Sequence, residues 1–249
     1  MASIDLNADL GEGESTTADL LALVSSCNIA CGGHAGDRDS MSRAVLLAAC
    51  AGVAVGAHPS YPDRAGFGRR SRHADGHALY ETLSQQLGVL VNLAADHGLD
   101  LVHVKPHGAL YHDAARFDDI AEIVARVVGE CPGQPAIVGP PAGRLPVAAG
   151  RLGLRYVAEA FADRRYRPDG SLVPRERPGA VLEDPAEVAA QAVSIATRGV
   201  VQTDAGTALG IAARTLCLHG DTPGALDIAR AVRLALDAAH VDVCRPGRP

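Results

Sequence analysis

Short apolar runs, each followed by a longer stretch with helical spacing, recur along this chain and restrict it to folds built on a parallel sheet. The runs are Ile4–Leu10, Cys27–Cys31, Val53–Ala57, Leu101–Lys105, Ala136–Val138, Leu154–Ala158 and Thr215–Leu218. Helical patterns fall over Asp37–Ala51, His77–His97, Phe117–Val128, Ala142–Ala149, Pro185–Thr197 and Pro223–Ala239. The second of these carries Leu79, Leu83, Leu87, Leu90 and Ala94 on one stripe, with Gly98 as its stop. Parallel neighbours need a crossover, and a helix is the usual one. We therefore expect a seven-stranded parallel β/α barrel, closed or nearly closed, with an open doubly wound sheet as the alternative. The 249 residues suit a single barrel domain spanning residues 1–249. Phe161–Pro185 is the least regular segment, rich in Arg and Pro, and reads as a long functional loop or a hairpin over the barrel mouth.

Polar residues gather at the C-terminal ends of these strands, where parallel α/β folds place their sites. The strand ends supply Asn7, Asp9 and Glu12; Asn28, His34 and Asp37; His58, Asp63 and Arg64; Lys105, His107 and His112; Glu159, Asp163 and Arg164; and His219 with Asp221. Two strands also alternate. Asp5, Asn7 and Asp9 interleave with Ile4, Leu6, Ala8 and Leu10, while His103, Lys105 and His107 share one face and Val102 and Val104 the other. Side chains alternate across a strand, so in a barrel the polar set faces inward. A solvated edge strand would give the same pattern, but here two strands show it and both run into glycine-bearing loops.

Within HVKPHGALYHD, Lys105 is the only lysine, and the other 22 basic residues are arginine. Arginine stays charged. A partly buried lysine can lower its pKa and exchange a proton, and its compact ammonium can neutralise charge developing on an oxygen. A merely cationic surface position would be the easiest one to fill with arginine. His34, His58, His107 and His219 come from separate strand ends, and Asp9 could add a carboxylate. Imidazole and carboxylate suit a divalent ion such as zinc, and equally suit hydrogen bonding to a polar substrate or proton transfer. Both readings stand at this point.

Composition removes several classes of function. The net charge is −6 with 3% aromatics and no basic stripe, so no nucleic-acid partner is expected. No apolar stretch is long enough to span a membrane. The acidic N-terminal segment MASIDLNADLGEGE lacks the pattern of a secretory signal, which points to the cytoplasm. The six cysteines form no CxxC pair and read as buried, reduced thiols. GxxxxGK[ST], GxSxG and a GxGxxG leading into a helix are all missing, which excludes a P-loop of that type and argues against dinucleotide binding.

DLNADLGEGE, SCNIACGGHAGD, VGAHPSYPDRAGFGRR, VKPHGALYHD and EAFADRRYRPDGSLVPR resemble, in order and over nearly the whole chain, the signature segments of the LamB/YcsF family of 5-oxoprolinase A-subunits. The resemblance implies a barrel related to glycoside hydrolases and polysaccharide deacetylases. It implies ATP-dependent opening of the lactam 5-oxo-L-proline to L-glutamate together with partner subunits B and C, which use the ATP to phosphorylate the lactam oxygen. On that reading Asp9 or Glu12 is the general base on water, and Glu159 is a second carboxylate candidate. Lys105 stabilises an oxyanion or phosphate and can protonate the leaving nitrogen. Asn7, Asn28, Arg64, Arg164, Arg175 and His219 are candidates to hold the substrate. His34, His58 and His107 orient substrate or water, or hold a divalent metal. A stand-alone metal-dependent deacetylase or amidohydrolase, and a carrier that only sequesters a lactam, are the two alternatives.

Overall fold

The computed structural model describes residues 2–13, 17–72, 75–220 and 224–246. Strands β1 (Ser3–Leu10), β2 (Ser26–Ala30), β3 (Ala54–His58), β4 (His103–Val104), β5 (Ala136–Gly139) and β6 (Tyr156–Phe161) pair in sequence order, all parallel. Two strands, β7 (Val200–Gln202) and β8 (Ala208–Gly210), form a separate antiparallel hairpin. Strand β9 (Thr215–Leu218) pairs with both β6 and β1 and closes the barrel, while β10 (Asp242–Val243) extends the N-terminal end of β1. The closed seven-stranded barrel expected from the alternation is therefore present, and the open sheet is not.

The helices stop where local chemistry stops them. Helix α1 (Thr17–Leu21) is short. Helix α2 (Arg38–Ala51) opens on a capping box between Asp37 and Ser40 and closes on Gly52 at φ 68°. Helix α3 (Gly76–Ala95) buries the expected leucine stripe. Next come α4 (Gly108–Arg116), α5 (Asp118–Gly129) and α6 (Arg144–Arg151). Asp184 caps α7 (Pro185–Arg198), which packs against α8 (Ala225–Ala238). Pro223 and Asp221, named above, lie outside the described residues.

Two strands differ from the sequence reading by more than one residue at an end. The sixth strand begins at Tyr156, not Leu154, because Leu154 belongs to the end of α6: its N–H returns to Ala149 O at 3.0 Å after Gly153 turns at φ 66°. The fourth strand is shorter than Leu101–Lys105, yet Val102 N donates to Val55 O at 2.8 Å and Lys105 N to Ala57 O at 2.9 Å, so backbone pairing continues on both sides of it. Helix α4, starting three residues past Lys105, and the β7–β8 hairpin were not anticipated.

The barrel interior is polar. Ile4, Leu6, Ala8 and Leu10 join the apolar core around the barrel, while Asp5, Asn7 and Asp9 are buried as well. At the N-terminal end Asp5 accepts from Ser25 Oγ (2.7 Å), Ser26 Oγ (2.8 Å) and Thr215 Oγ1. One rung higher, Asn7 Nδ2 donates to Thr215 Oγ1 (2.7 Å) and Glu159 Oε1 (3.1 Å), and Asn28 Nδ2 donates to Asn7 Oδ1 (2.7 Å). His103 Nε2 meets Asn28 Oδ1 at 2.6 Å. Its ring lies across Gly56, where an added Cβ would sit 2.1 Å from Nε2, so only glycine fits there.

Burial, opposed by the three hydroxyl donors, raises the Asp5 pKa to about 6. A carboxyl whose pKa is raised on folding stabilises the fold below its unfolded value of 3.8 and loses that contribution as pH climbs towards 6. We expect Asp5→Asn to remove this slope. The stability of wild type relative to the variant should fall by roughly 2 kcal/mol between pH 4 and pH 7. Denaturant titrations at the two pH values check this, and an unchanged difference would show that Asp5 ionises freely.

Candidate active site

Lys105 ends the polar column and begins the site. Its ammonium lies 2.9 Å from Asp9 Oδ1, 3.0 Å from Glu159 Oε1 and 3.0 Å from Cys217 Sγ, with the Phe161 ring centroid at 5.6 Å. An ammonium has three donors; they reach Asp9 Oδ1, Cys217 Sγ and, at 3.4 Å, Asn7 Oδ1, with Glu159 beside them as an ion pair. Burial alone would lower the Lys105 pKa, but Asp9, Cys217 and Glu159 outweigh it and hold it well above its ordinary value. The sequence left open a lysine that releases its proton. The structure makes Lys105 a fixed cation.

Asp9 is equally committed. Oδ1 accepts from Lys105 and from Asn28 Nδ2 (2.8 Å), and Oδ2 lies 3.3 Å from His58 Nε2. Burial favours its neutral form, yet His58 and Lys105 drive its pKa well below the usual carboxylate range. Asp9 is thus a weak proton acceptor.

Above Asp9 stand three histidines and Glu12. His58 Nδ1 donates to Lys105 O (2.7 Å) and His107 Nε2 donates to Phe67 O (2.9 Å). Those carbonyls fix the tautomers, leaving His107 Nδ1 to accept from His58 Nε2 at 3.0 Å. Burial lowers His58, but Asp9 more than compensates and its pKa is raised. His107 is lowered by burial and by its neighbours His58 and His34. His34 sits between Ser60 Oγ (2.9 Å) and Glu12 Oε1 (2.9 Å), with burial and His58 lowering it to about 3. The chain folds this way because α4 starts hard against the preceding loop: Ala109 N donates to Gly68 O, and a Cβ on Gly108 would lie 2.7 Å from that oxygen.

These groups could also hold an ion. Glu12, His34, His58 and His107 each offer one donor atom, all within 4.8 Å of one another. The donor chemistry fits zinc. The rings of His34 and His107, however, stack in parallel at 3.6 Å with 3° between their planes, so one ion cannot lie in both ring planes. Glu12, His58 and His107 are the set that fits, with His34 holding Glu12 from behind.

The site opens into a cavity of about 530 Å³ whose wall includes Glu12, Asp9, His58, Lys105, His107, His112 and His219. Arg69, Arg116, Arg164, Arg167 and Arg175 surround it, a dense group of cations in a chain of net charge −6. The irregular 161–185 segment forms part of this wall. Arg164↔Val181 and Tyr166↔Leu172 bridge it antiparallel, and Arg164 Nη2 donates to Val173 O at 2.6 Å. It is the small hairpin over the barrel mouth.

Most strand-end residues converge here, but not all of them face the cavity. Asn7 and Asn28 lie beneath it, buried, where they brace Asp9, Lys105 and Glu159. Arg64 turns away and donates to Gly32 O (3.1 Å) and Gly36 O (2.7 Å). Asp37 and Asp63 serve as caps. Sequence reasoning missed Tyr111, whose buried hydroxyl has no hydrogen-bond partner among the described residues and which lines the cavity. It also missed Arg69, Arg116 and Arg167. Arg69 stands in the quoted RAGFGRR motif and Arg167 in EAFADRRYRPDGSLVPR, but nothing local marks Arg116.

With this geometry in place, comparison decides the family. The LamB/YcsF family pattern matches residues 4–248. The chain belongs to the LamB/YcsF family. Among LamB/YcsF relatives, the 5-oxoprolinase A-subunit of Methylococcus capsulatus is 47% identical over 98% of this chain and 96% of its own. The crystal structure of a lactam utilization protein from Thermus thermophilus superimposes with a TM-score of 0.91 at 40% identity, covering 97% of this chain and 99% of that one. A polysaccharide deacetylase from Bacillus cereus, at 13% identity and a TM-score of 0.52 over 98% and 91% of the two chains, shares the fold alone with this LamB/YcsF member.

Proposed function

We propose that this chain is the A component of an ATP-dependent 5-oxoprolinase and opens the lactam ring of 5-oxo-L-proline to L-glutamate with partner subunits B and C. The observation that carries the reading is the cavity: a fixed Lys105 cation and the buried carboxylate of Glu12 line it, inside a wall of arginines. A small anionic lactam needs that combination, and relatives named for 5-oxoprolinase and lactam utilization support it. The sequence holds no P-loop, which agrees with ATP being handled by a partner. The six cysteines are thiols rather than disulfides, in keeping with a cytoplasmic setting, although Cys50 is exposed and Cys244 half-buried where burial was expected. No helix among the described residues is long and apolar enough to cross a membrane.

Arg164 and Arg175 hold the substrate carboxylate or a phosphate on the activated oxygen by paired hydrogen bonds. Glu12 takes the proton of the attacking water, since both oxygens of Asp9 are engaged and its basicity is low. Lys105 supplies positive charge near the oxygen where negative charge develops, and Asp9 and Glu159 keep it in place. Burial and the nearby Glu159 keep the Tyr111 phenol protonated, so it can donate to that oxygen.

The test is glutamate release from 5-oxoproline and ATP by this chain alone, by B and C alone, and by all three. We expect turnover only in the full mixture. Full turnover by B and C alone would remove this chain from the chemistry.

One observation favours a second reading, a stand-alone metal-dependent amidohydrolase: the convergence of Glu12, His58 and His107. An ion held there would polarise an amide oxygen and acidify bound water. The hydrogen-bond network closes without one, through the Nε2 proton of His58 that faces His107 and Asp9. We therefore expect substoichiometric divalent metal in the purified, dialysed chain. Stoichiometric metal that His58→Ala removes would favour the second reading.

A further inference from the structure

We propose that Asp163 and His219 form a proton-transfer dyad, and that His219 Nε2 delivers the proton the ring nitrogen needs as its bond to carbon breaks. The proposal rests on the ring-opening reading and names the acid that reading lacks. Lys105 is poorly placed to serve: its ammonium donates to Asp9, Cys217 and Asn7 and is ion-paired with Glu159.

The pair is built for orientation. Asp163 is 1% exposed, and its two oxygens lie 3.0 and 2.8 Å from His219 Nδ1. The backbone N–H of His219 also donates to Asp163 Oδ2 at 3.2 Å. Asp163 thus accepts the Nδ1 proton and fixes the tautomer, so the exchangeable position is Nε2. Phe161 stacks on the imidazole at 5.4 Å and 12°, fixing the ring plane. His219 lines the cavity, and Nε2 has no protein partner among the described residues. A ring nitrogen of His219, an oxygen of Asp9 and Cys217 Sγ lie within 4.8 Å of one another, so the dyad stands beside the Lys105–Asp9 pair. Three of these observations are geometric and independent: the carboxylate clamp, the aromatic stack and the open nitrogen.

The step balances. Water loses a proton to Glu12 as its oxygen bonds to the lactam carbon, and the carbon's π pair moves onto its heteroatom to give a tetrahedral centre. As that centre collapses to a carbonyl, the carbon–nitrogen bond breaks with its electron pair going to nitrogen, which takes the proton from His219 Nε2; where the lactam oxygen carries phosphate, the ring opens to an acyl phosphate, and a second water releases inorganic phosphate and the carboxylate. The proton on Glu12 then returns to His219 through water. Asp163 is a positioning residue throughout, touching neither substrate nor water.

The experiment uses the full three-subunit mixture, with wild-type turnover established first. An inert wild type sinks the ring-opening reading itself and not the dyad alone. Given an active wild type, His219→Ala should lose roughly 10²–10⁴-fold in kcat, and added imidazole should restore part of the loss. Asp163→Asn should lower kcat with KM nearly unchanged. His219→Asn keeps a donor for Asp163 but lacks the second nitrogen, so it should be as slow as His219→Ala while melting like wild type. Near-wild-type turnover by His219→Asn, or a His219→Ala loss that imidazole leaves untouched, overturns the proposal.

Discussion

Lys105→Met is expected to stop ring opening and to cost the fold about 3–5 kcal/mol, because it strands two buried carboxylates without their cation. Asp9 and Glu159 are 6% and 1% exposed and both lie within 3.0 Å of Nζ. In wild type the lowered Asp9 pKa contributes stability above the ordinary carboxylate range and loses it as pH falls through the folded value. Without Lys105, Asp9 loses one of the cations that hold its pKa down, so the deficit of the variant should shrink on acidification. Adding Asp9→Asn to Lys105→Met should recover stability but not activity, since the fixed charge is still missing. Activity should fall by roughly 10²–10³-fold or more, the scale of losing one electrostatic contact to a developing oxyanion. Denaturant titrations at pH 5 and 8, beside glutamate assays, check both halves. A Lys105→Met protein as stable as wild type at pH 8 would mean that water reaches the carboxylates and solvates them.

Glu12→Gln is the counterpart, a large kinetic effect with a small structural one. Glu12 lines the cavity with a side chain only 7% exposed and is held from behind by His34 at 2.9 Å. Glutamine keeps an oxygen for that contact and removes only the basic carboxylate. We expect kcat to drop by about 10²–10⁴-fold, the usual worth of a general base, with melting temperature nearly unchanged. Asp9→Asn, by contrast, should lower both activity and stability, because it breaks the contacts to Lys105 and His58. If Glu12→Gln turned over normally and Asp9→Asn alone abolished catalysis, the base assignment would pass to Asp9 despite its low basicity.

The sequence by itself determined the barrel and the inward face of two strands, and it singled out Lys105. Each of these depends on local information. Strand alternation has a period of two, so Asp5, Asn7 and Asp9 must share a face wherever the strand goes. A polar residue at the end of a parallel strand must also emerge at the C-terminal mouth. Which of those residues touch was decided only by closure of the sheet. The register sets Asp9 beside Asn28, Asn7 beside Cys217 and Glu159 beside Thr215. That register sends Asn7 and Asn28 below the cavity as braces, although their positions in sequence read as substrate contacts. It also brings Lys105 to Glu159 and Cys217, which turns a lysine able to titrate into one locked as a cation. The Asp163–His219 clamp spans 56 residues, and Tyr111 reaches the cavity only because α4 begins directly after the lysine strand. Periodicity is written within a segment, whereas a site is assembled between segments, and the closure of β9 onto β1 fixes that assembly.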